Sequence, residues 1–302
     1  MKLARAGEGY FSPDGKRICF QAYPEGQSDY QIYVMNVDGT GLEMVSTGTG
    51  ATTCAYFHPD NKRLLFGSNH LDTRAVAPPT GESASASGRN YSWSFYPGMD
   101  IFEYRFADKS LTRVTEAPGY DAEGSYSPDG KLIVFTSMRD GDQEIYIMNA
   151  DGKSPRRITS AKGYDGGPFF SPDGKQIVYR SDRKGDGNLQ IFVNNLEGTS
   201  ERGLTDGNSL HWCPFWHPSG KWLIYTHADH GGSGRPNYDL HLLSVDGKQD
   251  LRITSHAEFD GLPVFSPDGK TLMWTAKRNG ISSAQLFLSD FVGLTANGEL
   301  SK

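Results

Sequence analysis

The residues best suited to chemistry in this sequence are carboxylates and histidines that recur at one place relative to six similar turns. Each turn contains a proline, and six residues before its first Ser or His stand Ala6, Thr52, Asp121, Asp165, His211 and Asp260. Two residues further along stand Glu8, Cys54, Glu123, Gly167, Cys213 and Leu262. Because alternate residues of a β-strand face the same side, we expect both sets to lie on one side of their strands.

Such an arrangement would bring several carboxylates and one histidine together near one opening. Like charges that are held close must be solvated, share protons or bind a cation. One interpretation is a solvated acidic funnel. A second is a site for calcium, magnesium or manganese, with oxygen ligands from Asp121, Glu123, Asp165 and Asp260. A third is an organic ligand, a sugar or a peptide, held by acids such as Glu8 together with nearby Arg and His side chains.

Two departures from the repeat add candidates for ligand binding. Arg180 stands where the other units have Thr136, Thr226, Thr275, Gln21 or Gly67. His227, Asp229 and His230 begin a longer loop, HADHGGSGRPNYD. A histidine can act as a base or a ligand near neutral pH, whereas an exposed loop histidine is usually only solvated. Both interpretations stay open for this trio.

The elements that must position these residues follow from internal repetition. The turn prolines are Pro13, Pro59, Pro128, Pro172, Pro218 and Pro267. They lie about 45 residues apart, with the second unit longer by roughly 23, and each unit has room for four short strands. The pattern predicts an all-β fold, a six-bladed β-propeller of four-stranded antiparallel blades, in one domain over residues 1–302. The blades are expected at about 6–47, 52–115, 121–159, 165–204, 210–253 and 260–302.

The order of the strands predicts which loops share a face. The first strand of a blade (A) runs to the Ser-Pro-Asp-Gly turn, and strands B, C and D follow as a meander. The short turns should therefore lie on one face, and the longer B–C loops and D-to-A connections on the other, where function usually resides. The longest of these loops, 68–98, carries Tyr91, Trp93, Phe95 and Tyr96. These aromatic residues either pack the loop onto its blade or anchor a ligand.

Other polar residues recur in most units, which predicts a structural role. Strand C begins with an acid or an amide in every unit: Gln31, Asp100, Glu144, Gln190, Asp239 and Gln285. We expect these side chains to form hydrogen bonds between blades, since buried polar groups must be paired. Arg139, Arg183 and Arg278 follow strand B in three units, and we expect them to pair with loop carboxylates.

The last unit has A, B and C strands, but no clear D strand follows in DFVGLTANGELSK. Three alternatives are open: a native N-terminal strand has been removed, the tail Val292–Thr295 closes the blade, or the blade has three strands.

Composition excludes several classes of function. The chain has 30 Lys and Arg against 36 Asp and Glu, a net charge of -6 with no basic stripe, which argues against a nucleic-acid partner. Its 3 cysteines are too few for a disulfide framework or a zinc site. No apolar run is long enough for a membrane span, and the N-terminus lacks the apolar core of a signal peptide. Gly231–Arg235 fails the nucleophile-elbow motif at its last position.

The repeat F-S-P-D-G-K-x-I-x-F, with x-I-Y-x-M-N-x-D-G, resembles the WD40-like PD40 repeat of TolB-type propellers. The resemblance covers Arg5 to about Phe291 and does not include the N-terminal domain of TolB. In this respect the chain is similar to stand-alone propellers of bacterial extracytoplasmic proteins. It implies a propeller fold and a periplasmic or extracytoplasmic location. The oligogalacturonate lyases are a further similar group, which use a metal ion with His or Arg side chains. Their motif has no residue-by-residue match here.

These observations favour a non-catalytic binding propeller, a monomer that engages a protein, a peptide or a glycan through its loop-rich face and channel mouth. The alternative is a metal-assisted lyase or hydrolase that acts on an acidic saccharide or a similar ligand. In that case the acids at the channel mouth would bind a metal, His211 or His227 would supply a base, and Arg180 would bind a substrate anion. No complete catalytic constellation is visible in the sequence.

Overall fold

The protein forms six antiparallel β-sheets arranged as the blades of a propeller, which confirms the predicted fold. The structure is a computed structural model and describes residues 3–27, 29–72, 96, 98–230, 236–278, 280, 283–295 and 297–301. Tyr91, Trp93, Phe95 and the segment 231–235 lie outside the described residues. No helix of the described chain is long and apolar enough to cross a membrane.

Each blade is a meander of consecutive strands, ordered outwards from the central channel. Blades 1 and 2 comprise β1–β4 (Leu3–Phe11, Arg17–Pro24, Gln31–Asn36, Glu43–Met44) and β5–β8 (Thr52–Phe57, Arg63–Ser68, Asp100–Arg105, Ser110–Arg113). Blades 3 and 4 comprise β9–β12 (Asp121–Tyr126, Leu132–Ser137, Glu144–Asn149, Arg156–Arg157) and β13–β16 (Asp165–Phe170, Gln176–Ser181, Gln190–Asn195, Arg202–Gly203). Blades 5 and 6 comprise β17–β20 (Leu210–Trp216, Trp222–Ala228, Tyr238–Ser244, Asp250–Arg252) and β21–β23 (Asp260–Phe265, Thr271–Ala276, Gln285–Asp290).

The Ser-Pro-Asp-Gly turns join strands A and B as predicted. In the first turn, the Ser12 hydroxyl donates to Asp14 Oδ1 at 2.6 Å, and the same oxygen accepts from the Lys16 amide at 3.1 Å. Gly15 follows with a φ of 69°, a conformation that glycine adopts without strain. This local chemistry explains why the turn recurs with so little variation.

A β-bulge interrupts every innermost strand, and the sequence did not reveal it. The register against strand B shifts by one residue in all six blades. One residue at each bulge has a φ between 49° and 58°: Glu8, Cys54, Glu123, Gly167, Cys213 and Leu262. The prediction that these residues share a side with those two positions earlier was wrong in blades 3 to 6, where only the bulge residue lines the central channel, because a bulge breaks the alternation of the strand.

Blade 6 has three strands in the described part of the chain, as the third alternative for this blade stated. The described residues of the tail do not pair with β23. Instead Leu294 packs with Trp222 and Phe265 in the core between blades 5 and 6. The Trp222 indole also donates to the Gly298 carbonyl at 2.8 Å, which holds the tail below blade 5.

Candidate functional site

Aromatic side chains from four blades close the central channel. The ring centroids of Tyr10 and Tyr56 lie 5.5 Å apart, and those of Phe169 and Phe215 lie 5.1 Å apart. Tyr10 of blade 1 and Phe169 of the opposite blade 4 approach to 5.6 Å, which leaves no passage between them. We call these four residues the aromatic floor. The channel is therefore a blind pocket rather than a tunnel.

Above the floor lies a cavity of about 560 Å³ that opens on the loop-rich face. The six bulge residues, one from each blade, all line its wall. Its mouth is formed by Tyr23 and Tyr30, whose rings stack at 3.9 Å, together with Tyr238 and Phe259. A volume of this size and a lining that contains many aromatic residues are typical of ligand pockets.

A buried ion pair between Glu123 and Arg180 crosses this wall. Arg180 Nη2 donates to Glu123 Oε1 at 3.0 Å, and both residues are 9% exposed. Glu123 Oε2 accepts three further bonds at 2.8 Å, from the Thr136 hydroxyl, the Tyr164 hydroxyl and the Gly167 amide. With so many donors the carboxylate is held in one orientation.

The position of Arg180 depends on the absence of a side chain at Gly167. A Cβ atom on Gly167 would lie 2.0 Å from Arg180 Nη1. In blades 5 and 6 the residue that corresponds to Arg180 is a threonine that binds the bulge of the next blade. The amides of Glu8 and Leu262, for example, donate to the Thr275 and Thr226 hydroxyls at 3.0 and 3.1 Å. Arg180 thus replaces a structural threonine with a charge that reaches the pocket wall.

Glu8 is the second carboxylate of the pocket, and it is held more loosely. Its side chain accepts from the Tyr10 hydroxyl at 3.4 Å and is hydrogen-bonded to the Cys54 thiol. Burial raises the pKa of Glu8, and the negative charge of Glu123 adds to the shift. No Lys, Arg or His side chain of the described chain lies within ion-pair distance of it. The half-buried Glu8 carboxyl is therefore available to a ligand in the cavity.

The three aspartates predicted for the same ring form a different structure. Arg139 pairs with Asp121 at 3.0 Å, and the equivalent pairs Arg183–Asp165 and Arg278–Asp260 measure 3.2 and 2.5 Å. Each aspartate is at most 1% exposed and is bound by an arginine of its own blade. The arginines thus bind strand aspartates rather than only loop carboxylates.

Among the described residues, one of these arginines also binds a loop carboxylate as expected, since Arg183 contacts the loop residue Glu201. Each of the three pairs is separated by the same 18 residues, a signal in the sequence that could have revealed them. The predicted metal ligands Asp121, Glu123, Asp165 and Asp260 are accordingly not brought together. In the described chain no group of three or more His, Cys, Asp and Glu side chains is arranged to hold a metal ion.

Blade 5 carries a histidine cluster where these blades carry an Asp–Arg pair. The His227 ring lies 5.2 Å from that of His211 and 4.6 Å from that of His241. His241 Nδ1 is 2.9 Å from Asp250 Oδ1, and the Tyr225 hydroxyl donates to the other oxygen at 2.7 Å. Burial lowers the pKa of His211 to about 4, and His227 contributes to the shift. None of these residues lines the central pocket.

The remaining two candidates lie at the edges of these groups. Asp229 is exposed, and the His230 ring packs 6.1 Å from that of Tyr238 at the edge of the mouth. Of the predicted residues, the structure therefore brings Glu8, Glu123 and Arg180 into the pocket and His211 and His227 into the cluster.

Comparisons with known proteins agree with this architecture. The family described as TolB beta propeller domain, PD40, matches residues 100–236. The protein TolB homolog of Chlorobium luteolum is 28% identical over 165 residues, which cover 49% of this chain and 37% of that protein. The crystal structure of TolB from Acinetobacter baumannii superposes with a TM-score of 0.69 at 22% identity, covering 94% of this chain and 62% of that one.

The chain is a β-propeller that is similar to TolB propellers. Its matches to curated relatives span 10% of the Tol-Pal system protein TolB of Bordetella pertussis and 37% of the Chlorobium luteolum protein. The oligogalacturonate lyase of Vibrio parahaemolyticus also superposes, with a TM-score of 0.59 at 15% identity over 95% of this chain and 90% of that one. At that identity the likeness concerns the fold alone.

Several pocket residues of this propeller were missed by sequence reasoning. The floor residues Tyr10, Tyr56, Phe169 and Phe215 each stand two positions before the first Ser or His of a turn. The next residue in each of these units is also aromatic and packs in a hydrophobic core: Phe11, Phe57, Phe170 and Trp216. Because neighbouring residues of a strand face opposite sides, the floor residues could have been assigned to the channel by the same reasoning.

Proposed function

We propose that this protein is a non-catalytic binding propeller that receives a segment of a partner protein in its blind central pocket. The observation that carries the proposal is the closure of the channel by the aromatic floor, with the cavity opening on the loop-rich face. A closed pocket of about 560 Å³ can bury one short stretch of polypeptide and exclude water from it.

The lining of the pocket supports a peptide as the ligand. The floor of Tyr10, Tyr56, Phe169 and Phe215 suits an apolar or aromatic side chain, which would bury a large area there. The available Glu8 carboxyl suits a peptide N–H group or a cationic side chain. A segment that presents an apolar side chain and a hydrogen-bond donor satisfies both.

A catalytic function has less support from the same residues. The Glu123 carboxylate already accepts four hydrogen bonds, so it is poorly placed to take a proton or a metal ion. His211 and His227 lie outside the pocket lining, away from Arg180. A lyase or hydrolase would need a base, a metal or both near a bound saccharide, and Glu8 is the one loosely held carboxyl among the described pocket residues, with no metal-binding group beside it.

The relatives favour the same proposal. The curated relatives include proteins named for a Tol-Pal system, in which a propeller would act through association with other proteins. By that resemblance we propose that this chain acts outside the cytoplasm as a monomer. A glycan is the other class of ligand, and it becomes an outcome of the test.

The proposal is tested by selecting binders from a random heptapeptide display library and measuring their affinity for two variants. Leu262→Trp fills the pocket from a bulge residue that already tolerates a side chain in its conformation. Lys270→Trp makes the same change at an exposed turn on the opposite face and serves as the control. We expect selected peptides to bind the wild type and Lys270→Trp equally, and to lose at least about tenfold in affinity for Leu262→Trp.

Equal binding to both variants would place the peptide elsewhere and refute the pocket as its site. A failure to select any peptide, together with turnover of an oligogalacturonide detected by absorbance of the unsaturated product, would favour the lyase alternative.

A further inference from the structure

The outer edge of blade 6 is unlike the same edge in the other five blades. Its third strand, β23, has no neighbour on that side within the described chain. Leu286 is half-buried, whereas the equivalent residues Ile32, Ile101, Ile145, Ile191 and Leu240 are fully buried. Leu288, which follows on the same edge, is 39% exposed. An open strand edge with apolar side chains is a template for pairing with another strand.

The other five blades define what covers this edge. In each of them, an aliphatic residue at the end of the fourth strand donates a backbone hydrogen bond to the second residue of strand C, which corresponds to Leu286. The bond joins the aliphatic amide to the carbonyl oxygen at 2.7 to 2.9 Å. The aliphatic residues are Val45, Val114, Ile158, Leu204 and Ile253. The residue after the aliphatic one is Ser or Thr in all five blades. Its hydroxyl accepts a hydrogen bond from the amide of the second residue of strand C at 2.9 or 3.0 Å. In all five blades, an aliphatic residue followed by Ser or Thr therefore binds both the carbonyl and the amide of the second residue of strand C.

The residue before this pair varies with the first residue of strand C. Where strand C begins with an acid, the variable residue is an arginine that binds it, as in the pairs Arg113–Asp100, Arg157–Glu144 and Arg252–Asp239. Where strand C begins with glutamine, the variable residue is uncharged: Met44 in blade 1 and Gly203 in blade 4.

The glutamine amide explains this rule. In blades 1 and 4 it donates to a carbonyl of the connection to the next blade, at 2.8 Å from Gln31 to Gly50 and at 3.0 Å from Gln190 to Ser209. Its oxygen accepts from the Ser or Thr hydroxyl, at 2.7 Å from Ser46 in blade 1. No charge is left for an arginine to neutralise. Strand C of blade 6 begins with Gln285, so an uncharged residue is expected opposite it.

We propose that the outer edge of β23 is a docking site for an extended segment of another polypeptide, bound antiparallel to β23. Three consecutive residues of this segment are an uncharged residue, a branched aliphatic residue, and Ser or Thr. The aliphatic amide would donate to the Leu286 carbonyl, and the hydroxyl would bind the Leu286 amide and Gln285. This is strand addition to a sheet edge, in which backbone bonds give affinity and side chains give selectivity. The site is separate from the central pocket.

The probe is a fluorescent synthetic peptide with the sequence of residues 41–47, GLEMVST, which forms the covering segment of blade 1. Two further peptides each carry one change. One has a methyl group on the backbone nitrogen at the position of Val45, and the other has Arg at the position of Met44. All three are titrated against the wild type and against Gln285→Glu, with hydrogen exchange of the Leu286 and Leu288 amides as the readout of location.

We expect the unmodified peptide to bind the wild type and to slow exchange at Leu286 and Leu288. N-methylation should weaken binding at least about tenfold, because it removes the amide that donates to Leu286. Gln285→Glu should reverse the preference, so that the Arg peptide binds about tenfold more tightly than the unmodified one. Equal thermal unfolding of Gln285→Glu and the wild type serves as the folding control, and the N-methyl comparison needs no variant.

Four results would overturn the proposal: no saturable binding at millimolar peptide, equal binding of the N-methylated peptide, protection confined to the central pocket, or slow exchange at Leu286 in the protein alone. In the last case the edge is covered by the tail of the chain or by a second copy. Sedimentation over a dilution series separates these two, because only a second copy is lost on dilution.

Discussion

Removal of the Arg180 guanidinium should destabilise the protein far more than removal of a surface cation. In Arg180→Met the Glu123 carboxylate stays buried at 9% exposure and loses its only cationic partner seen at ion-pair distance in the described chain. Breaking a buried pair in this way typically costs 3–5 kcal/mol. The three remaining hydrogen bonds to Glu123 Oε2 compensate in part, so we expect about 3 kcal/mol.

The measurement is urea unfolding followed by fluorescence of the 5 tryptophans, with the free energy of unfolding extrapolated to water. Lys109→Met is the matched control, since it also breaks an ion pair, but one whose Lys109 and Glu43 side chains are 71% and 43% exposed. We expect no measurable change for the control, because exposed pairs contribute little.

The double variant Glu123→Gln, Arg180→Met isolates the interaction itself. If the cost comes from an uncompensated buried charge, the double variant should regain about 2 kcal/mol relative to the sum of the single changes. Equal stability of Arg180→Met and Lys109→Met would refute the reasoning, and so would strict additivity in the double variant.

Two further changes test the backbone and the histidine cluster. Gly167→Ala should lower the free energy of unfolding by about 2 kcal/mol or more, because the new Cβ would lie 2.0 Å from Arg180 Nη1 at a residue with a φ of 58°. Gly39→Ala is the control, since Gly39 has a φ of 86° and no atom within 4 Å of a new Cβ. It should lower the free energy of unfolding by only about 1 kcal/mol in the same urea assay. His211 has a pKa lowered to about 4 by burial, so the stability that its neutral ring contributes is present above about pH 6.5 and is lost as the pH falls towards 4. His211→Phe should therefore reduce the loss of stability over that range by up to about 1.4 kcal/mol per pH unit, measured by urea unfolding at a series of pH values. Exposed His256→Asn is the control, and an unchanged pH dependence in His211→Phe would contradict the assignment.

The fold could be predicted from the sequence because its signals are local and repeated six times. The Ser-Pro-Asp-Gly turn forms through contacts among residues a few positions apart, such as Ser12, Asp14 and Lys16. Its spacing then fixes the number of blades. The pairing of Asp121 with Arg139 was also within reach, because the same separation recurs in three blades.

The division of the candidate site could not be predicted in the same way. Glu123 and Asp121 are two residues apart, yet one reaches the central pocket and the other binds an arginine of its own blade. The cause is the bulge at Glu123, whose φ of 55° breaks the alternation on which the prediction depended. The sequence pattern contains no residue type that specifies this bulge, since Glu, Cys, Gly and Leu all occupy it.

The residues alone thus determined six repeated units, their turns and the face on which the long loops gather, since each depends on neighbours along the chain. Only the tertiary structure decided that Glu123 meets Arg180 across 57 residues and that Tyr10 and Phe169 of opposite blades close the channel. It also decided that no strand of the described chain covers the outer edge of β23. These contacts join residues that share no local pattern. They exist because six sheets packed around one axis bring their innermost strands to a common centre.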